Sequence, residues 1–179
     1  MKIQTFSNVT IKQAQITDIT QLQAISTLTF VESFEKENSP ENMATYLAEH
    51  FSTNQLALEL SNPNSSFYFA EENEQIVGYL KINVETAQTE KKFQNALEIE
   101  RIYVKKAAQG KQIGQQLLEK AINIARNKKY AFIWLGVWEN NKQAITFYEK
   151  NGFEVFDQHL FVLGEDQQRD LLMKRPLTQ

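Results

Sequence analysis

The chain has 179 residues, of which 19 are Lys or Arg and 22 are Asp or Glu, and it contains no cysteine. The length suits one domain that can bury a core, and the lack of cysteine excludes disulfides, thiolate-bound zinc, iron–sulfur clusters and a cysteine nucleophile. A net charge of −3 gives no support for nucleic-acid binding, but it is compatible with a cationic substrate.

Targeting and domain signals are weak throughout the chain. No apolar run approaches the roughly 20 residues of a membrane-spanning helix, and residues 1–15 lack a continuous hydrophobic signal core. We therefore expect a cytoplasmic protein that does not bind membranes. Because neither repeats nor Pro- or Gly-rich linkers interrupt the chain, we expect a single domain over residues 1–179, as a monomer or a homodimer.

The N-terminal part predicts one strand followed by three helices. A strand is expected around 9–14, and Asp18 can cap a helix with apolar residues at helical spacing, namely Ile19, Leu22, Ile25 and Leu28. Ser39-Pro40-Glu41 is a typical helix start, with a capping hydroxyl, a proline that needs no donor and an acidic residue at the positive end. A third helix is expected over 55–60, before Pro63.

The remaining residues predict strands and two further helices. Strands 66–70 and 76–84 form a hairpin around Glu72-Asn73-Glu74, with Ile76, Leu80, Ile82 and Val84 on one side. A polar loop, a strand at 97–104, a glycine-containing loop and an amphipathic helix from Ile113 follow. A buried strand is expected over 132–138, a helix over 141–151 ended by Gly152, and strands near 158–164 and 169–175. The fold class is α/β, a mixed α+β sheet of about seven strands flanked by about four helices.

The loop between residues 104 and 113 carries the clearest chemical signal. Helix starts expose unpaired amides with a partial positive charge, so that a pyrophosphate can bind there. Glycines permit close approach of the backbone, and lysines add cationic groups, at Gly110, Gly114, Lys105, Lys106 and Lys111. The alternative is an ordinary strand–helix connection with solvated lysines, because a short glycine loop alone is a weak signal.

Two sequence blocks resemble the GNAT superfamily of N-acetyltransferases. Residues 99–104, Ile-Glu-Arg-Ile-Tyr-Val, followed by Gln109-Gly110-Lys111-Gln112-Ile113-Gly114, resemble its acetyl-CoA-binding motif. Asn141, Ala144, Phe147, Tyr148, Gly152 and Phe153 resemble its later Asn-x-x-Ala-x-x-x-Tyr-x-x-x-Gly-Phe block. The resemblance implies a GNAT-like fold with acetyl-CoA as cosubstrate, bound by Ile102, Tyr103, Val104, Gln109, Gly110, Lys111, Gln112, Ile113, Gly114, Asn141, Tyr148 and Lys150.

A narrower resemblance is to PaiA-type polyamine acetyltransferases. It rests on residues 38–43, 98–104 and 133–139 and on the C-terminal Gly164, Glu-Asp turn and Asp170-Leu171-Leu172-Met173. It implies a polyamine acceptor, spermidine or spermine. One departure concerns the phosphate loop, where the family's middle glycine is Gln112. If that residue needs a positive φ, the substitution is costly, and we expect a modestly lower affinity for CoA.

Acetyl transfer to an amine requires a neutral nucleophile. An alkylammonium has a pKa about 3.4 units above pH 7, so its deprotonation costs about 4.6 kcal/mol, and a carboxylate can collect the proton through water. Glu100 is the candidate base or cation anchor and Glu98 the second choice. In a regular strand both lie on one face, with Arg101 and Tyr103 on the other, although a bulge would reassign them. The alternative is that either Glu pairs with Arg101 or a lysine.

The resemblance places Tyr148 near the CoA sulfur, where a phenol can protonate the leaving thiolate. The pattern alone favours a core tyrosine packed beside its apolar neighbours, and it is the resemblance that favours the catalytic role. The backbone N–H of Ile102 or Tyr103 is the expected donor to the carbonyl oxygen, and Asn141 is expected to cap its helix as well as contact the donor.

For the acceptor, Glu32 and Glu35 lie with Glu37 between the first two helices, near where the family binds its amine. Glu85 and Glu90 lie in the polar loop over residues 85–95, which we call the mid-chain loop. For each glutamate taken singly, the pattern favours the alternative of a solvated surface residue. His50 and His159 have no evident ligand partners, so no metal is expected. Because no thiol can carry the acetyl group, direct transfer in a ternary complex is the simplest scheme. An N-acetyltransferase for another small amine or a protein amino group, and a non-catalytic CoA-binding regulatory domain, remain alternatives.

Overall fold

The computed structural model describes residues 9–163 and 165–177. Within these residues the strands are β1 (Val9–Gln13), β2 (Ser65–Glu72), β3 (Gln75–Val84), β4 (Ala96–Val104), β5 (Phe132–Trp138), β6 (Glu154–Leu163) and β7 (Asp166–Pro176). The helices are α1 (Ile19–Phe34), α2 (Pro40–His50), α3 (Thr53–Ser61), α4 (Ile113–Asn127) and α5 (Lys142–Lys150). The strands form one mixed sheet in the order β1-β2-β3-β4-β5-β7-β6, which confirms the predicted fold class. The five helices are those predicted in chain order, one more than the overall number of about four. Gly164, the predicted end of a strand, lies outside the described residues.

Local capping signals explain where most helices begin and end. The Ser39 hydroxyl accepts a hydrogen bond from the Asn42 amide at 3.1 Å, and Pro40 opens α2, as predicted. Gly152 follows α5 with a φ of 81°, the left-handed conformation that glycine adopts freely. Asp18 precedes α1, but its carboxylate accepts from the Gln15 amide at 2.8 Å and not from an amide of α1. The predicted side-chain cap is therefore wrong for Asp18, which closes the preceding 3-10 turn.

Helices cover both faces of the sheet and create two cores. One core packs α4 and α5 against residues that include Leu80, Leu97 and Leu135. The other packs α1, α2 and α3 against residues that include Phe67 and Tyr79. We call the first side the α4–α5 face and the second the α1–α3 face. None of the helices within the described ranges is long and apolar enough to cross a membrane.

A bulge in β3 changes the predicted side of one residue. The β2–β3 pairing runs from Ala70 with Gly78 to Glu71 with Ile76, so Val77 is an extra residue in β3. Ile76 packs in the α1–α3 core, whereas Leu80, Ile82 and Val84 pack on the α4–α5 face. The prediction that all four share one side is therefore wrong for Ile76, because the extra residue shifts the alternation of side chains.

A second bulge and a divergence of strands shape the centre of the sheet. β3 pairs Lys81 with Arg101 and then Ile82 with Ile99, so Glu100 is the extra residue in β4. β4 and β5 are parallel and pair only from Ala96 with Phe132 to Ile99 with Leu135. β5 continues beside β7 as far as Trp138. The two central strands thus part after four residue pairs, and we call the resulting opening the central gap.

Candidate active site

The loop that leads into α4 has the backbone geometry of an anion-binding turn. Gly110 has a φ of 80° and Gln112, the residue before α4, a φ of 62°. No side chain caps α4, whereas Ser39, Ser52 and Asn141 each cap their own helix. The amides of the first turn are therefore left for another partner, and the helix start is suited to a phosphate group. Gln112 therefore has the positive φ on which the expected cost of replacing the family's glycine depends.

Side chains tie this loop to neighbouring elements. The Lys111 ammonium lies 2.8 Å from Glu72 Oε2, so the lysine is held beside α4 and is not freely solvated. The Lys106 amide donates to Glu32 Oε2 at 2.8 Å, which links α1 to the start of the loop. Gln109 Nε2 donates to the Val104 carbonyl at 3.2 Å. Glu32 thus supports the loop, and Glu35 is exposed at the end of α1; substrate binding by either residue stays a prediction.

The bulge at Glu100 places four polar side chains of β4 on the α1–α3 face. Ile99 and Ile102 both pack on the α4–α5 face, although their spacing would separate them in a regular strand. Glu98 and Glu100 both accept from Asn83 Nδ2. Arg101 lies beside Glu100 on that side, and Tyr103 packs with the α1–α3 core. The expectation that Arg101 and Tyr103 face away from the two glutamates, which assumed a regular strand, is therefore wrong.

Glu100 is held in a network of ion pairs. Its carboxylate lies 2.6 Å from Lys81 Nζ and 3.1 Å from Arg101 Nη2. Glu59 completes the network, 3.0 Å from the same lysine and 2.9 Å from the same arginine. Burial by itself would raise the pKa of Glu100, but the attraction of Arg101 and Lys81 outweighs it and lowers the pKa to about 2. A carboxylate with this pKa is a weak proton acceptor, which weighs against the predicted role of Glu100 as a base.

Glu98 fastens the mid-chain loop to the sheet. It is 3% exposed, and its carboxylate accepts from the Thr89 amide at 2.8 Å and from the Thr89 hydroxyl. Burial raises its pKa. Next to it, the Trp134 indole donates to Gln88 Oε1 at 2.7 Å. Glu98 thus holds Thr89 in place and Trp134 holds Gln88. Because the oxygens of Glu98 are already engaged, substrate binding by Glu98 stays a prediction.

Tyr148 and Asn141 lie on the opposite side of the sheet. Tyr148 is buried in the α4–α5 core, with its ring centroid 5.3 Å from that of Phe147 and 5.8 Å from that of Phe153. Burial raises the pKa of Tyr148, so the phenol is protonated at neutral pH and can act as a proton donor. Asn141 Oδ1 accepts from the Ala144 amide at 3.1 Å, which confirms its capping role. Lys150 is exposed in the last turn of α5.

One opening over the sheet was missed by the sequence analysis. Gly136 is the first residue of β5 beyond its pairing with β4, and it is exposed although β5 lies between β4 and β7. A Cβ at this position would stand 3.5 Å from Asp170 Oδ2. A lone glycine within the apolar run 132–138 was the available signal.

Within residues 9–163 and 165–177, no group of three or more His, Asp or Glu side chains is arranged to hold a metal ion.

The fold is that of the acyltransferases that the two sequence blocks resemble. A sequence model of the Acetyltransferase (GNAT) family matches residues 22–153. The chain therefore belongs to the GNAT family of acetyltransferases. Its relatives are N-acetyltransferases by name, and the chain is an enzyme of this kind.

Two relatives and one solved structure show which N-acetyltransferases the chain is similar to. The chain is 42% identical over 172 residues to a Lactobacillus delbrueckii subsp. lactis protein named as an uncharacterized N-acetyltransferase in the pepI 3′ region, covering 96% of this chain and 99% of the relative. It is 25% identical over 154 residues to spermidine N(1)-acetyltransferase of Thermoplasma acidophilum, covering 84% and 91%. The crystal structure of PaiA N-acetyltransferase from Thermoplasma acidophilum in complex with coenzyme A has a TM-score of 0.78 to this fold at 24% identity, covering 95% of this chain and 99% of that one. The predicted resemblance to GNAT and PaiA-type enzymes is confirmed.

Proposed function

We propose that the protein transfers the acetyl group of acetyl-CoA to a primary amine of a polyamine, with spermidine and spermine as the expected acceptors. The observation that carries this proposal is the central gap. On one side of the gap, β4 leads to the uncapped start of α4, which is suited to a phosphate group. On the other side, β5 carries the exposed Gly136 where its pairing with β4 ends. The gap thus offers separate approaches for donor and acceptor.

The residues present fit a CoA donor. The amides of the first turn of α4 and the left-handed backbone at Gly110 and Gln112 suit its phosphates. Beyond Ile99, β4 has no pairing with β5, so its main chain can hydrogen-bond to an extended ligand arm. The residues that we expect to hold the donor are Ile102, Tyr103, Val104, Gln109, Gly110, Lys111, Gln112, Ile113, Gly114, Asn141, Tyr148 and Lys150.

The chain's own groups supply the steps of transfer. The Tyr148 phenol donates a proton to the leaving sulfur. An amide of Ile102 or Tyr103 donates a hydrogen bond to the acyl oxygen as negative charge develops. The acceptor must be a neutral amine when it attacks, so a base of the site has to remove the proton of the bound ammonium group. Because the chain has no cysteine, we expect the amine to attack the acyl group directly.

The polyamine acceptor is supported by the name of one relative, a spermidine N(1)-acetyltransferase. It is also supported by carboxylates on the face of the sheet opposite Tyr148, among them Glu90 and Asp170. Several separated negative charges suit a ligand with several ammonium groups. A monoamine would use only one of them.

The test is a thiol-release assay with acetyl-CoA and a panel of spermidine, spermine, butylamine, a lysine peptide and an aminoglycoside. Release with the two polyamines, and much less with butylamine, supports the proposal, because butylamine has the reacting amine without the second charge. Release only with the peptide or the aminoglycoside would replace the acceptor class. Tight CoA binding without release for any amine would point to a regulatory CoA-binding domain.

A further inference from the structure

A histidine lies between two carboxylates on the α1–α3 face of the sheet. His159 Nδ1 is 2.8 Å from Glu90 Oε1, and His159 Nε2 is 3.7 Å from Asp170 Oδ2. Glu90 belongs to the mid-chain loop, His159 to β6 and Asp170 to β7, where the last two residues are direct neighbours across the ladder. Three separate elements thus converge on one imidazole.

The contact with Glu90 determines which ring nitrogen can act. A carboxylate only accepts hydrogen bonds, so Nδ1 carries the proton and donates to Glu90. In the neutral ring Nε2 is then a bare acceptor. It faces Asp170 Oδ2, also an acceptor, at 3.7 Å, which is too far for a hydrogen bond. A donor between the two, such as the N–H of an ammonium ion, would satisfy both.

This pair lies at the central gap. Asp170 Oδ2 would be 3.5 Å from a Cβ at Gly136, the exposed first residue of β5 after its pairing with β4 ends. Since glycine has no side chain, the carboxylate is not screened from the gap by β5. The alternating residues Leu135 and Val137 pack on the α4–α5 face, so the pair approaches the gap from the face opposite Tyr148.

We propose that Asp170 and His159 form the acceptor-amine subsite, in which Asp170 binds the incoming ammonium group and His159 Nε2 removes its proton. Glu90 is a positioning residue that fixes the imidazole. The inference rests on the proposed function. It assigns the role of base to His159, because the ion pairs of Glu100 with Lys81 and Arg101 make that carboxylate a weak proton acceptor.

The proton transfer balances within these groups. The N–H bond of the ammonium breaks, the proton forms a bond to Nε2, and the electron pair stays on the amine nitrogen. That pair then forms the new C–N bond while the C–S bond of the thioester breaks and the leaving sulfur takes a proton from the Tyr148 phenol. The nitrogen loses one further N–H proton as it becomes the neutral amide, and this proton replaces, through water, the one that Tyr148 has given away. The imidazole side chain is 32% exposed, so the imidazolium can return its proton to water before the next turnover.

Other charges near the imidazole are few among the described residues. Asp157 of β6 interacts with His159, but its carboxylate lies 2.7 Å from Lys92 Nζ and is thereby compensated. Asp170 has a pKa raised by burial, an effect that His159 opposes. Asp157 is therefore a suitable control position: a carboxylate beside the same histidine that is already paired with a cation.

The experiment compares His159→Gln, Asp170→Asn and Glu90→Gln with the control Asp157→Asn in steady-state acetylation of spermidine from pH 6 to 9. His159→Gln is expected to lower kcat about 10²-fold and to remove the loss of kcat at acidic pH. Asp170→Asn is expected to raise KM for spermidine about tenfold, with an unchanged KM for acetyl-CoA. Glu90→Gln is expected to have a smaller effect on kcat than His159→Gln, and Asp157→Asn none.

Imidazole rescue of a His159→Ala variant supplies a readout that a merely structural role would not move. The subsite is refuted if His159→Gln keeps the wild-type kcat and acidic limb, or if Asp170→Asn keeps the wild-type KM for spermidine. Loss of folding in His159→Gln, seen by circular dichroism, leaves Asp170→Asn and the rescue to decide. Absence of acetyl transfer by the wild type to any amine would instead overturn the proposed function.

Discussion

At the scale of single residues, charge compensation distinguishes the carboxylates of the site. Glu59 and Glu100 face Lys81 and Arg101 in one largely buried network, with all four charges paired. Removing one member leaves an uncompensated charge in a poorly solvated place, which costs more than the pair itself contributes. Glu100 is therefore better understood as part of the support of β4 than as a group that exchanges protons.

The acid stability of the protein tests this reading of Glu100. Its pKa is lowered from 4.5 to about 2 in the fold, so its ionised form stabilises the fold fully above pH 4.5 and this contribution is lost as the pH falls to about 2. We expect Glu100→Gln to lower the free energy of unfolding in urea at pH 7, and the difference from wild type to shrink between these two pH values. The exposed Glu35→Gln variant serves as control. A difference that stays constant down to pH 2 would contradict the ion-pair role.

Tyr148→Phe tests the proposed proton donor. The substitution keeps the buried ring but removes the hydroxyl, so we expect kcat for acetyl transfer to fall at least about tenfold, while calorimetry still detects CoA binding. Tyr130→Phe, a tyrosine that follows α4, is the matched control and should keep full activity. Wild-type turnover in Tyr148→Phe would show that the phenol is a packing residue only.

At the scale of elements, α4 differs in how it starts from α2, α3 and α5, whereas α1, like α4, has no side-chain cap. α2, α3 and α5 are closed by their own side-chain caps, which makes them complete without a ligand. The residue before α4 is left-handed and gives no side-chain cap. The left-handed residue costs conformational free energy, and no side chain caps the amides of the first turn. Such a cost is expected where a ligand supplies the missing hydrogen-bond acceptor.

Two substitutions separate conformational from steric requirements in this loop. Gln112 has a φ of 62°, a region that costs a residue with a Cβ about 1 kcal/mol, so Gln112→Gly is expected to tighten CoA binding a few-fold. Gly110 has a φ of 80°, with no atom within 4 Å of an added Cβ. Gly110→Ala is thus expected to weaken CoA binding through backbone strain alone. Calorimetric titration with CoA measures both, and an unchanged dissociation constant for Gln112→Gly would show that the substitution carries no cost.

At the scale of the whole molecule, local signals in the sequence predicted most elements and strand pairing determined the rest. Ser39-Pro40 and Gly152 mark helix ends through contacts within a few residues, and these were correctly predicted. The bulges at Val77 and Glu100 depend on the register between paired strands, which the alternation of residues within one strand does not contain. For the same reason, Asp170 and His159 could not be joined to Glu90 from the sequence, since loop and strand meet only in the folded sheet.

The two-sided arrangement around the central gap predicts the kinetic order of the reaction. The proposed donor groups, Tyr148 and the start of α4, lie on one face of the sheet, and the proposed acceptor groups, Asp170 and His159, lie on the other. Both substrates can therefore be bound together, and the chain has no cysteine to hold an acetyl group between two half-reactions. Initial rates at varied acetyl-CoA and spermidine should give intersecting double-reciprocal lines. Parallel lines, together with an acetylated enzyme that transfers its acetyl group to spermidine in the absence of acetyl-CoA, would require a covalent carrier and contradict direct transfer.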